Sequence, residues 1–124
     1  MNINIKTKDM DLSEALSEKV YQKVGSLEKF INPQGDQEIL AEVEIGLRNK
    51  HHKKGEIYRA EINLNTGGKQ LRAVSKSFDL YQAIDESASE MERRIVSSRG
   101  KEETLFRRGA AQAKALLKRL RGIK

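Results

Sequence analysis

Apolar and polar residues alternate from Asn2 to Thr7, with Ile3 and Ile5 on one side and Asn2, Asn4 and Lys6 on the other. A period of two is that of a half-buried strand, because successive side chains point to opposite faces of a sheet. The period then lengthens. Leu12, Leu16, Val20, Val24, Leu27 and Ile31 recur at spacings of three and four, behind a capping-box pair of Asp11 and Glu14. This predicts an amphipathic helix of about twenty residues, carried through Gly25 at a cost of roughly 1 kcal/mol and stopped by Asn32 and Pro33.

Period two returns from Ile39 to Leu47, where Ile39, Ala41, Val43, Ile45 and Leu47 are apolar, and again in Tyr58, Ala60, Ile62 and Leu64. Thr66-Gly67-Gly68-Lys69 supplies the glycines that a tight hairpin needs, and Leu71, Ala73 and Ser75 continue on the return strand. Asp79 and Gln82 repeat the capping pattern ahead of Leu80, Ile84, Ala88, Met91 and Ile95, the stripe of a second long helix that leaves Arg93 and Arg94 outside it. Beyond Ser98 the stripe weakens. The spacing of Ala113, Leu116, Leu117 and Leu120 predicts a short further helix with Lys114, Lys118 and Arg121 on a cationic side.

The order strand, helix, three strands, helix implies an α+β fold, with two helices on one face of a four-stranded, mainly antiparallel sheet and the other face open. Residues 1–98 form the domain and residues 99–124 a basic tail. Length agrees: 124 residues, 37% hydrophobic and 34% charged, suit one core. No apolar run approaches the ~20 residues of a membrane helix, and Met1 to Met10 lacks a signal-like stretch, so a cytoplasmic protein with no membrane partner is expected.

Charge changes the picture more than composition does. Residues 1–98 hold 15 Lys and Arg against 16 Asp and Glu, a net −1, whereas the tail holds nine against two, a net +7. Cations grouped in this way suit a polyanion, since each phosphate contact releases condensed counterions. In the domain, Lys19, Lys23 and Lys29 lie off the stripe of the first helix, and Arg93, Arg94, Arg99 and Lys101 lie on and after the second. The aromatic residues Tyr21, Tyr58, Tyr81, Phe30, Phe78 and Phe106 are accounted for by core packing or helix flanks, so phosphate contacts should outweigh base stacking.

Other chemistry finds little support. With no cysteine there are no disulfides, thiol nucleophiles or thiolate metal sites. His51 and His52 sit in the lysine-rich loop 49–55 without a third ligand at metal spacing, so neither metal nor cofactor is expected. Gly67-Gly68 joins two strands and does not precede a helix, unlike a phosphate-binding loop. Ser87, Ser89, Ser97 and Ser98 lie in no nucleophile elbow, and Glu42, Glu44 and Glu61 face Arg59 and Arg72 as cross-strand ion pairs, so no enzyme is expected. A different class of function stays open: a regulatory protein-interaction module whose tail engages an acidic protein or membrane surface.

Three stretches, Arg59-Ala60-Glu61-Ile62-Asn63-Leu64, Gly68-Lys69-Gln70-Leu71-Arg72-Ala73 and Asp79-Leu80-Tyr81-Gln82-Ala83-Ile84-Asp85, resemble the ribosome hibernation promoting factor family, which includes the ribosome-associated inhibitor A and sigma-54 modulation proteins. Asn4-Ile5 with Lys8, and Leu27-Glu28-Lys29, extend the resemblance over residues 1 to about 100. It implies a layout similar to double-stranded RNA-binding domains and a short-form stress-response factor, monomeric off the ribosome. Such a factor lodges in the decoding region of the small ribosomal subunit, against its ribosomal RNA, and excludes messenger and transfer RNA. Carried over by position, its RNA-binding cations are Lys8, Lys19, Lys23, Lys29, Arg93 and Lys101, with Lys76, Arg94 and Arg99 as neighbours of like character. Glu90 and Ser97 depart from it, standing where relatives often have lysine. The basic tail departs too, because long members add a domain that joins two ribosomes and some short ones end in acids.

Overall fold

The computed structural model describes residues 1–32, 37–49 and 55–122. Its elements are β1 (Asn2–Lys8), α1 (Glu14–Gly25), α2 (Glu28–Ile31), β2 (Leu40–Asn49), β3 (Ile57–Thr66), β4 (Lys69–Ser77) and α3 (Leu80–Gly122). The strands form one sheet in the order β1-β2-β3-β4. β1 runs parallel to β2, because the α1–α2 connection returns the chain to the same end, while β2–β3 and β3–β4 are antiparallel. The expected α+β class, with helices on one face of the sheet, is what the chain adopts.

The alternation read from the sequence sorts the two faces. Ala41, Val43, Ile45, Ala60, Ile62, Leu64 and Ala73 are buried toward the helices, and Leu16, Val20 and Val24 from α1 and Ile84, Met91 and Ile95 from α3 close over them. Full burial of a side chain of this size stabilises by about 1.5–3 kcal/mol. α3 packs on β3 and β4, and α1 on β1 and α3. At the β3–β4 hairpin Gly67 and Gly68 both take positive φ, 54° and 110°, as the two-residue turn demands.

Three details differ from the sequence reading. Ser13, and not Asp11, caps α1: its hydroxyl accepts from the Leu16 N–H at 3.1 Å, so Leu12 precedes the helix and is 42% exposed. The expected twenty-residue helix breaks after Gly25. There the Ser26 hydroxyl bonds the Lys23 carbonyl at 2.7 Å, and Leu27 N–H bonds Val24 O at 3.0 Å, tightening the chain before α2 while Leu27 stays buried. Third, α3 runs for 43 residues, so the short further helix expected beyond Ser98 is continuous with the second long helix. Between Gly100 and Gly122 the chain is rich in Ala, Leu, Lys and Arg, whose helix propensity carries it through Gly109 without a proline to stop it.

Asp79 caps α3 as expected, accepting from Tyr81 N–H at 2.9 Å, but Gln82 reaches forward to Glu86 at 2.9 Å and leaves the reciprocal half of the capping box unmade.

Candidate nucleic-acid interface

The candidate cations lie on both faces of the sheet. On the helical side, Lys19 and Lys23 project from successive turns of α1 toward α3, where Asp85 receives both: its Oδ1 lies 3.1 Å from Lys19 Nζ and 3.5 Å from Lys23 Nζ. Neither ammonium donates a hydrogen bond of good geometry to that oxygen, so the contact is ionic rather than directional. Asp85 belongs to α3 one residue after the buried Ile84, at the edge of the apolar stripe, which places it in the α1–α3 seam.

A second group forms around Phe30. Lys29 Nζ stands 5.1 Å from the centre of its ring, within cation–π range, and Arg99 Nη1 donates to its backbone carbonyl at 2.9 Å. The Arg99 bond ties α3 to the end of α2. On the outer side of α3, Glu90 holds Arg93 at 2.6 Å and Arg94 at 3.2 Å, one helical turn away in each case. Lys101 lies in α3, and His51 and His52 fall outside the described residues.

Lys8 and Lys76 sit elsewhere. Both are exposed on the open face, at opposite ends of one register row, Lys8–Gly46–Arg59–Lys76. Three strand spacings of about 4.8 Å separate them. Gly46 leaves room in that row, because a Cβ there would meet Lys8 Cβ and its carbonyl oxygen at 3.1 Å, close enough that Lys8 would have to give by a few tenths of an ångström. The resulting cleft, about 190 Å³, is bounded by Lys8, Asp9, Glu44, Arg48 and Arg59.

Arg59 thus joins Lys8 and Lys76 without having been singled out as a site residue. Half of the signal was in the sequence, since the two-residue hairpin pairs Thr66 with Lys69 and so fixes Arg59 opposite Lys76. The middle of the open face is balanced instead of basic. Glu61 takes Arg59, two residues along its own strand, at 2.8 Å and Arg72 from β4, so of the cross-strand pairing read from the sequence the described residues form Glu61–Arg72, while Glu42 and Glu44 lie beside it on β2. Partial burial pushes the Glu61 carboxyl up. Hydrogen bonds from Arg59 and Asn63 and the charges of Arg59 and Arg72 outweigh that and hold it below the ordinary 4.5.

Among the described residues no three His, Asp or Glu side chains group as metal ligands, and no helix is long and apolar enough to cross a membrane. What the cations can do is neutralise phosphates at fixed spacing over a rigid body.

The family model described as Sigma 54 modulation protein / S30EA ribosomal protein matches residues 3–103. The chain belongs to this family. Among curated relatives, this family member is 28% identical over 107 residues to the Ribosome hibernation promotion factor of Bacillus subtilis (strain 168), a match covering 86% of the chain and 53% of the relative. It therefore spans about half the length of that relative. Among solved structures it is similar to the Protein Y N-terminal domain of Thermus thermophilus, at TM-score 0.64 and 27% identity over 77% of this chain and 96% of that one. A ribosomal subunit interface protein from Coxiella burnetii shares the fold at TM-score 0.64 and 19% identity, over 81% and 99% of the two chains. The family match stops at residue 103, so most of the tail lies beyond it.

Proposed function

We propose that this family member binds the small ribosomal subunit in idle cells, occupies its decoding region and blocks messenger and transfer RNA, acting as a hibernation factor in the cytoplasm. The observation that carries the reading is the family match across β1 to α3, joined to cations held at fixed positions on that body. Lys8, Lys19, Lys23, Lys29, Lys76, Arg93, Arg94, Arg99 and Lys101 are assigned to phosphates of the ribosomal RNA. Inhibition needs no chemistry of its own: a folded domain wedged where RNA must pass is a steric block. Tethering of Lys19, Lys23, Arg93 and Arg94 by Asp85 and Glu90 lowers the entropy lost when they dock, at the cost of competing carboxylates.

The test is cosedimentation of the purified protein with whole ribosomes and with separated subunits at low and moderate salt, beside an in vitro translation assay. Saturable binding to the small subunit with inhibition is expected. Binding that is indifferent to subunit and vanishes at moderate salt would sink the reading.

A further inference from the structure

In the domain the cations are largely spoken for. Lys19 and Lys23 face Asp85, Arg93 and Arg94 face Glu90, Arg59 and Arg72 face Glu61, and Arg99 donates to the Phe30 carbonyl. The far part of α3 is different. From Thr104 to Gly122 the sequence contains Arg107, Arg108, Lys114, Lys118, Arg119 and Arg121 and no acid. Every described side chain from Arg107 to Arg119 is exposed, and none of its cations has a carboxylate partner among the described residues.

This is a rod, with a defined charge pattern. At 1.5 Å per residue, the segment from Thr104 to Gly122 extends about 28 Å. Arg107, Lys114 and Lys118, seven and four residues apart, share one side, and Arg108 and Arg119 flank it. The opposite side carries Ala113, Leu116 and Leu117, the leucines 57% and 54% exposed. Ala113 follows Ile95 by eighteen residues, five full turns, so this weak apolar side continues the direction of the core stripe past the end of the domain.

We infer that residues 104–122 are a second RNA-binding element, a cationic helical arm that lies along a phosphate backbone outside the site filled by the domain. The inference rests on the ribosome reading for its setting, and on the charge of the arm for its ligand. Charge complementarity selects the occupant. A second copy of the arm would bring cations against cations with no acid between Thr104 and Gly122 to pair them. An anionic bilayer would need a broader apolar side than the two alanines and two leucines, Ala110, Ala113, Leu116 and Leu117, offer among the described side chains. A polyphosphate backbone asks only for spaced cations on a stiff support. Continuity points the same way, because the arm is the same helix that carries Arg93, Arg94 and Arg99.

The full-length chain with Arg107, Arg108, Lys114, Lys118 and Arg119 all replaced by Gln keeps residues of good helix propensity and tests the arm alone. Affinity for purified ribosomes, for a 20-base-pair RNA duplex and for phosphatidylserine-containing vesicles is measured against salt. Five lost phosphate contacts, at about 0.7 each, should flatten the slope of log K against log salt by about 3.5 and weaken ribosome binding at least tenfold at low salt, without changing the stoichiometry. Duplex binding by the parent should be lost in the variant. Unchanged ribosome affinity and slope would overturn the arm and leave the domain reading standing. Parent that ignores ribosomes, while its duplex binding still disappears in the variant, would overturn the domain reading and support the arm. Vesicle binding lost in the variant with RNA binding unaltered would overturn the RNA assignment in favour of a membrane surface.

Discussion

Asp85 Oδ1 lies 3.1 Å from Lys19 Nζ, which ties α3 to α1 across the seam that closes the core. Asp85 Oδ1 itself is shut off from solvent, but the side chains are part-exposed, the lysine 25% and the aspartate 43%, which keeps the electrostatic worth of the pair small. Its consequence is positional: one carboxylate sets where two ammoniums stand.

Asp85→Asn is therefore expected to cost under about 1 kcal/mol of stability, seen as a modest fall in Tm, while releasing Lys19 and Lys23. Ribosome affinity should rise and its salt dependence steepen. A weaker affinity in the folded variant would mean that the carboxylate positions the lysines more than it competes for them.

Glu90 engages Arg93 and Arg94 together. Glu90→Lys removes that competitor and adds a cation on the same exposed side of α3, so ribosome binding at low salt should tighten by about tenfold, the equivalent of ~1.4 kcal/mol. Equilibrium binding at three salt concentrations checks it, and an unaltered Kd would remove the outer side of α3 from the interface.

Glu61 supplies a pH dependence. Its folded pKa lies below its unfolded value, so the stabilisation is fully present above the unfolded pKa near 4.5 and is lost as pH falls through the lower folded value. Glu61→Gln should be less stable than the parent at pH 7, by about 1 kcal/mol or less for so small a network. The two unfolding curves should converge in acid, below pH 4.5; a gap that persisted there would assign the loss to packing.

Gly46 makes a steric prediction. Gly46→Val puts a branched side chain where even a Cβ meets Lys8 at 3.1 Å, so Lys8 and its strand must yield by at least a few tenths of an ångström. A loss of about 1–3 kcal/mol is expected in chemical denaturation, with hydrogen exchange accelerating first in Asn2–Lys8. Parent-like protection of β1 would show that Lys8 moves aside without cost.

The fold was legible wherever one period ruled a stretch: Ile3 and Ile5, Ala41 to Ile45, Ala60 to Leu64, and the stripe from Ile84 to Ile95 all point as their spacing says. The glycine pair Gly67-Gly68 announced its hairpin because few other residues tolerate positive φ twice in succession. Local competition hid the rest. Ser13 outbid Asp11 for the cap, and Ser26 ended α1 where the apolar spacing ran on. At the candidate interface, residue types were readable and partners were not. That Asp85 receives Lys19 and Lys23 depends on how α1 crosses α3, and that Lys8 and Lys76 share a row across Gly46 depends on a parallel pairing between segments some thirty residues apart.

Sheet order has a consequence for how the molecule is made. Every strand is bonded to the one synthesised before it, so the sheet can grow in the order of translation, and the β2–β3–β4 meander closes through short connections. Only β1 must wait for a partner across the α1–α2 crossover, a loop whose closure entropy grows only logarithmically with length. Sequence-local pairing of this kind favours rapid folding. After the four strands comes α3, whose buried Ile84, Met91 and Ile95 seal the apolar face. Until those turns are in place the nascent chain holds a sheet whose β3–β4 half is uncovered.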